Sequence, residues 1–280
     1  MSNVSPGVVP TPLAKSVGVL ATVGAAVYIT GLYCGVDWMQ SFPKLAAQLP
    51  AYGGYARTIL CAVIAFLAGR NRLSARDRLW LLAAFGVTLV ADYFLVLTGK
   101  DFMVGVGLFL VVHVLLSLRH AQGFRASLAP DQRQRTLRLL GLTALVAFSI
   151  TGVVLWTVRG ILERSGQMAV DVIYVLALTV SMWMGWGTLI RGYYPRLNAW
   201  FIAVGITSFY CCDVSVGLVA DLGDVPLKAI LNDLVGFFYT PALALLALSG
   251  YTWEGTSAAA QAPVHHLEEP AAPAIKARAS

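Results

Sequence analysis

Apolar residues run along this 280-residue chain in blocks too long and too continuous for the strands or two-faced helices of a soluble domain. An apolar block of about 17–25 residues is long enough to cross a bilayer as a helix. Such blocks fall at 15–36, 53–69, 79–98, 102–118, 136–158, 168–190, 198–220 and 227–250. They predict an all-α fold, a polytopic membrane bundle of about eight transmembrane helices occupying residues 1–252. The remaining stretch, 253–280, is rich in Ala and Pro and has no apolar period, which predicts a disordered cytoplasmic tail. At the other end, "MSNVSPGVVPTPLAKSVGVLATVG" has prolines and one lysine before its apolar run, and no small-residue cleavage site follows promptly. It reads as a first span and not as a cleaved signal.

Composition narrows the class further. Hydrophobic residues make up 58% of the chain and charged residues 12%, with a mean hydropathy of +0.72. A soluble domain carries about 25% charged residues, so a soluble fold is excluded. The net charge of +6 does not point to nucleic acid, because most arginines gather in short links between the apolar blocks. Arg70, Arg72, Arg76 and Arg78 follow the second block; Arg119, Arg125, Arg133, Arg135 and Arg138 follow the fourth; Arg191 and Arg196 follow the sixth. The opposite links are poorer in cations. By the positive-inside rule the arginine-rich links are cytoplasmic, and an even number of spans puts both termini there too. These arginines read as topology and headgroup anchors. Cys34, Cys61, Cys211 and Cys212 fall in or beside apolar blocks and read as small packing residues, with no zinc or disulfide spacing. His265 and His266 lie in the tail and read as part of a solvated linker.

Against this background a few polar residues stand out inside the spans. Asp92 sits within "TLVADYFLVL" and Asp213 within "SFYCCDVSVGL". An acid at mid-bilayer costs roughly 2.5–3.5 kcal/mol on insertion scales. At 1.5 Å per residue the two acids lie about 20 and about 22 Å above the cytoplasmic starts of their parallel spans, and so at one level. His113 is near the middle of its block, and Asn232, Asp233 and Tyr239 belong to the last one. Asp171 opens the sixth block and reads as a helix-start acid near water. Each has a plainer reading: a buried acid pairing with Arg or His to fix packing, or a histidine hydrogen-bonded in the core. Gly105 and Gly107 read as points of close helix contact. "FGVTLVADYFLVL" and "VGITSFYCCDVSVGL" also share a Gly-x-Thr followed by an acid, either by chance or through an old four-plus-four duplication. Two acids at one depth on two helices read together as a site, since ionisable groups within a membrane mark function.

These residues resemble the YhhN-like membrane proteins, a family that includes the lysoplasmalogenases. The resemblance rests on an acid in one span, a short link and a His in the next helix, as in "VADYFLVLTGKDFMVGVGLFLVVHVLL". A second acid follows late in the chain in "ITSFYCCDVSVGL", and the last helix carries "YTPALALLALS". It covers most of the chain and implies an eight-helix bundle in a bacterial inner membrane. Residue by residue, the family acids fall on Asp92 and Asp213 and the family His on His113. Four positions depart from the pattern. Leu116 stands where Tyr is common, Leu243 where Gln or His is common, and Arg57-Thr58 where Lys-Pro is common.

The activity implied by the resemblance is hydrolysis of the vinyl ether bond of a lysoplasmalogen to a fatty aldehyde and a glycerophospho-headgroup. Protonating the β-carbon of a vinyl ether leaves an oxocarbenium ion for water to attack. That chemistry needs one acid that keeps its proton near neutral pH, and a carboxyl in low dielectric holds its proton more tightly than in water. A second carboxylate would stabilise the cation or activate water, as in glycosidases. The expected catalytic set is therefore Asp92, Asp213 and His113, the histidine orienting one acid or relaying the proton. Arg57 is expected to hold the lipid phosphate, with Tyr239 and Asn232 near the substrate; no metal or other cofactor is called for. The partner is a membrane lipid. Two other classes compete: a proton- or cation-coupled transporter, and a lipid-binding membrane protein with no catalysis.

Overall fold

The computed structural model describes residues 16–17, 43–68, 72–128, 130, 132–166, 168–221 and 226–253. Seven α-helices lie among them: α1 (Pro43–Leu67), α2 (Ala75–Asp92), α3 (Phe102–His120), α4 (Arg133–Ser165), α5 (Met168–Arg191), α6 (Arg196–Asp221) and α7 (Pro226–Leu248). α1 and α7 each open on a proline, which presets φ for a first helical turn and gives up an N–H that has no helical partner there. The described residues contain one isolated antiparallel bridge, Arg72 with Tyr251, and no extended strand.

Six segments are long and apolar enough to cross a membrane: Ala75–Thr98, Phe102–His120, Arg133–Gly160, Met168–Arg191, Arg196–Val219 and Ile230–Leu248. That is the make-up of a multi-pass membrane protein. The count is lower than the expected eight. The first expected span, 15–36, lies almost wholly outside the described residues, as does the tail from 254 onward. The second corresponds to the apolar part of α1, Ala51–Leu67, which is shorter than the other six.

The helices do not pack in simple chain order. α1 packs on α2, α2 on α3, α3 on α5, α5 on α6, α6 on α7, and α7 back on α1. Six helices thus close a ring. α4 stands outside it against α5, with minor contact to α6. Only 17% of the α4 membrane window is buried, against 50% for α6, and its Leu145, Val153 and Trp156 are each about two-thirds exposed. The inside of the ring is the main core, where Phe109, Leu116, Ile206, Phe209, Leu243 and Leu246 meet.

Gly105 fits its expected role, since a Cβ there would fall 2.3 Å from the Leu95 side chain. Gly107 does not: a Cβ there would meet nothing within 4 Å. The third expected span is not one α-helix either. Its α-helical part ends at Asp92, and Tyr93–Thr98 continue as a π-helix. The chain then reverses through Gly99 (φ 59) and Asp101 (φ 53) into α3. Glycine takes this left-handed conformation without steric cost, and Asp is among the few other residues that tolerate it.

Candidate functional site

Asp92 is the last α-helical residue before the π-turn. Single π-turns next to α-helical residues are frequent at functional sites. Here the carboxyl points into the ring and is 1% exposed. Its Oδ2 accepts two hydrogen bonds, from Thr58 Oγ1 of α1 at 2.5 Å and from the Tyr239 hydroxyl of α7 at 2.7 Å. The Arg57 guanidinium lies 4.5 Å from the centre of the Tyr239 ring and donates to Thr240 Oγ1 at 3.3 Å. This is a cation–π contact that holds a buried cation next to the acid.

Asp213 forms the second half. It lies on α6 and is 7% exposed. The Tyr174 hydroxyl of α5 donates to its Oδ2 at 2.7 Å, and His113 Nε2 of α3 stands 3.0 Å from the same oxygen. His113 is 1% exposed, and its Nδ1 has no hydrogen-bond partner among the described residues. Among them Asp213 supplies the hydrogen bond that orients the ring.

Aromatic rings join the halves. Phe209 is one turn before Asp213 on α6; its ring centre is 4.8 Å from that of His113 and 5.7 Å from that of Tyr239. Phe109, one turn before His113, stacks edge-on against both Phe209 and Tyr239. No hydrogen bond links the two acids directly. Both sets of hydrogen bonds fall on Oδ2, so Oδ1 of each acid accepts none from the described residues.

Every helix of the ring supplies one member of this cluster: Thr58 from α1, Asp92 from α2, His113 from α3, Tyr174 from α5, Asp213 from α6 and Tyr239 from α7. α4, outside the ring, supplies none. Of the expected site residues, Asp92, Asp213, His113, Arg57 and Tyr239 are brought together. Asn232 is exposed on α7 and bonds to neither acid. Thr58 and Tyr174 were not foreseen as site residues. Among the described residues no three His, Cys, Asp or Glu side chains gather into a metal-binding group.

A second polar cluster lies at the arginine-rich end, and it corrects the reading of two arginines. Arg119 and Arg191 are not exposed anchors in links. They occupy the last turns of α3 and α5 and are 0% and 9% exposed. Arg119 forms a two-pronged ion pair with Asp77 of α2, Nε to Oδ1 at 2.8 Å and Nη2 to Oδ2 at 3.0 Å, and donates through Nη1 to Ser249 Oγ at 2.8 Å. The Tyr194 hydroxyl stands 2.8 Å from both Asp77 Oδ1 and the Arg119 carbonyl. Burial, and next the Asp77 charge, push that hydroxyl well above the usual tyrosine range, so it stays a donor. Asn198 Nδ2 ties Ser249 O and Tyr251 O to the start of α6, and the Tyr251 hydroxyl reaches back to Ile64 O on α1. This cluster binds the chain after α7 to four helices.

A model of the YhhN family matches residues 55–250. The chain belongs to the YhhN family. No curated protein and no solved structure matches it. The matched stretch holds every residue of the two-acid cluster and, apart from Tyr251, of the Asp77–Arg119 cluster. Within this YhhN chain, the two leucines that depart from the common family pattern are both core residues. Leu116 and Leu243 are each 1% exposed, one turn beyond His113 and Tyr239 respectively. The cluster is accordingly walled by hydrocarbon on those sides.

Proposed function

We propose that this YhhN protein is a membrane-embedded hydrolase that cleaves the vinyl ether of lysoplasmalogen-type lipids by acid catalysis. We place it in the membrane as a multi-pass helical bundle with both termini cytoplasmic. The observation carrying the proposal is the pair of buried carboxyls. Each is gripped on Oδ2 by a tyrosine hydroxyl, accepts nothing on its other oxygen from the described residues, and faces the same aromatic wall.

In this reading Asp92 is the proton donor, because its hydrogen-bonding partners, Thr58 and Tyr239, are neutral hydroxyls that serve either protonation state. Asp213, facing His113, is the carboxylate. Asp92 gives its proton to the β-carbon of the vinyl ether, and positive charge develops on the ether oxygen and adjoining carbon. Asp213 stabilises that charge and then takes a proton from the attacking water, leaving a hemiacetal. The hemiacetal collapses as its hydroxyl proton returns to Asp92 and the proton on Asp213 passes to the departing headgroup oxygen. Both acids end as they began, and fatty aldehyde and glycerophospho-headgroup are released. Arg57, beside Tyr239, suits the lipid phosphate.

The test is incubation of the detergent-purified protein with a panel of lysolipids. Aldehyde is expected from alkenyl lysolipids and none from acyl or saturated alkyl ones. Failure of every alkenyl lysolipid to yield aldehyde, together with proton flux in liposomes, would move the two acids to a transport role.

A further inference from the structure

Hydrolysis consumes one water per turnover, yet Asp92 and Asp213 are 1% and 7% exposed. A row of polar atoms on α3 and α5 leads away from them toward the arginine-rich end. Five buried side-chain atoms on these two helices have no hydrogen-bond partner among the described residues: His113 Nδ1, His120 Nδ1, His120 Nε2, Ser181 Oγ and Arg191 Nη1. His120 and Ser181 are 0% exposed and His113 is 1% exposed. The described residues alone therefore enclose them.

Two contacts fix the order of the row. At one end, His113 Nε2 and the Tyr174 hydroxyl meet on Asp213 Oδ2. At the other, Arg191 Nη2 donates to the His120 carbonyl at 2.6 Å. α3 and α5 therefore run in the same direction between these points. His120 follows His113 by seven residues, and Ser181 follows Tyr174 by seven. Seven residues make nearly two full turns, which return to within about 20° of the same helix face about 10.5 Å further on. His120 and Ser181 thus lie two turns beyond the Asp213 contacts, on the faces that carry His113 and Tyr174. The row ends where His120 gives way to residues 121–124, each partly exposed.

Buried polar groups are nearly always bonded to protein or to ordered water. Histidine and serine can each give and accept a hydrogen bond, as water does, while arginine only gives. Arg191 would repel a cation, and an anion would leave the serine without a role. We propose that this row is a hydrated passage: waters bonded to His113, Ser181 and His120 connect Asp213 with the arginine-rich end and bring in the water that the reaction consumes. The stretch of about 10.5 Å takes roughly two or three waters at hydrogen-bond spacing. What the water does rests on the hydrolase reading; where it runs rests on the five unpartnered atoms. His120 is a positioning residue here, since it touches the waters and neither acid.

In the test, the full chain in nanodiscs is irradiated with X-rays, which turn water into hydroxyl radicals where the water lies. Oxidised side chains are then located by peptide mass spectrometry. A residue shielded from bulk solvent is oxidised where water is bound beside it. His113 and His120 are expected to be oxidised at least fivefold faster than Phe85, a buried aromatic residue of α2 within the apolar core. His120→Leu should cut the oxidation of His113 at least fivefold, and His120→Gln, which keeps polar atoms, should retain most of it. Leucine removes two ring nitrogens that bond to no described residue, so the fold should survive. Ser181→Ala repeats the measurement should it not. Oxidation of His113 no faster than that of Phe85, or unchanged in whichever of these two variants folds, would overturn the proposal. Aldehyde release is scored separately and should fall in His120→Leu along with the oxidation of His113. Undiminished release with that oxidation lost would overturn the passage as the route of the reacting water. Oxidation of His113 that depends on His120, in a protein that releases no aldehyde, would keep the passage and remove the reaction.

Discussion

Asp92→Asn is expected to lower aldehyde release by about 10²–10⁴-fold, the range that a positioned general acid contributes. The amide is close in size to the carboxyl and can still accept from Thr58 and Tyr239, so the fold should tolerate it. What it cannot do is give up a proton to carbon. Removing one supporting hydroxyl should do less. Tyr239→Phe or Thr58→Val takes away one hydrogen bond to the acid, which strengthens as Asp92 gives up its proton, from about 0.5–1.5 kcal/mol for a neutral pair to about 1.5–3 kcal/mol for a charged one. A loss of roughly tenfold follows from that difference, at 1.36 kcal/mol per decade. The measurement is kcat/KM on an alkenyl lysolipid, with size-exclusion profiles confirming intact protein. Unaltered turnover in Asp92→Asn would remove this residue from the chemistry. Loss of turnover only through loss of folded protein would return it to a packing role.

The second large effect concerns stability. Arg119→Ala or Asp77→Ala is expected to destabilise the protein by about 3–5 kcal/mol, because each leaves its former partner as an uncompensated buried charge. For a chain of this size that is a fall in Tm of about 6–20 °C. Arg119→Lys should recover little of it, since an ammonium cannot reproduce the two-pronged contact with Asp77 and still reach Ser249. Thermal unfolding in one detergent checks all three variants. Folded Asp77→Ala should keep the turnover of the unsubstituted protein, because the Asp77–Arg119 cluster shares no residue with the two-acid cluster. A Tm within about 2 °C of the unsubstituted protein would contradict the structural role given to this pair.

The two clusters differ in how far the sequence disclosed them, and the reason is physical. Asp92, Asp213 and His113 announce themselves because an ionisable residue in the middle of an apolar block has no cheap explanation. Asp77 and Arg119 give no such signal. Each lies at the end of a span among residues where charge is ordinary, so Arg119 looks like Arg125. Only the packing of α3 on α2 shows that one is buried and the other lies in the segment between helices. Tyr174 was hidden in the same way, since a tyrosine near a span end suits an interfacial belt. Helix positions were legible from apolar length alone: α5 to α7 begin and end within two residues of the expected limits, while α4 runs seven residues past its expected end. The order of the ring was not. That α3 packs on α5 while α4 stands outside depends on side-chain fit across helices, which hydropathy does not encode. The π-turn after Asp92 left no trace in the sequence either, because its residues are as apolar as those of the α-helix before it.

The most direct measurement of the central claim is the position of solvent hydrogen in the product. Turnover of an alkenyl lysolipid in D₂O, with the aldehyde trapped by immediate reduction, should place one deuterium on the carbon next to the carbonyl carbon. Proton transfer from a buried acid to the vinyl ether carbon leaves that mark. Aldehyde carrying no deuterium at that carbon, or no aldehyde at all, would contradict proton delivery to carbon as the work of these two acids.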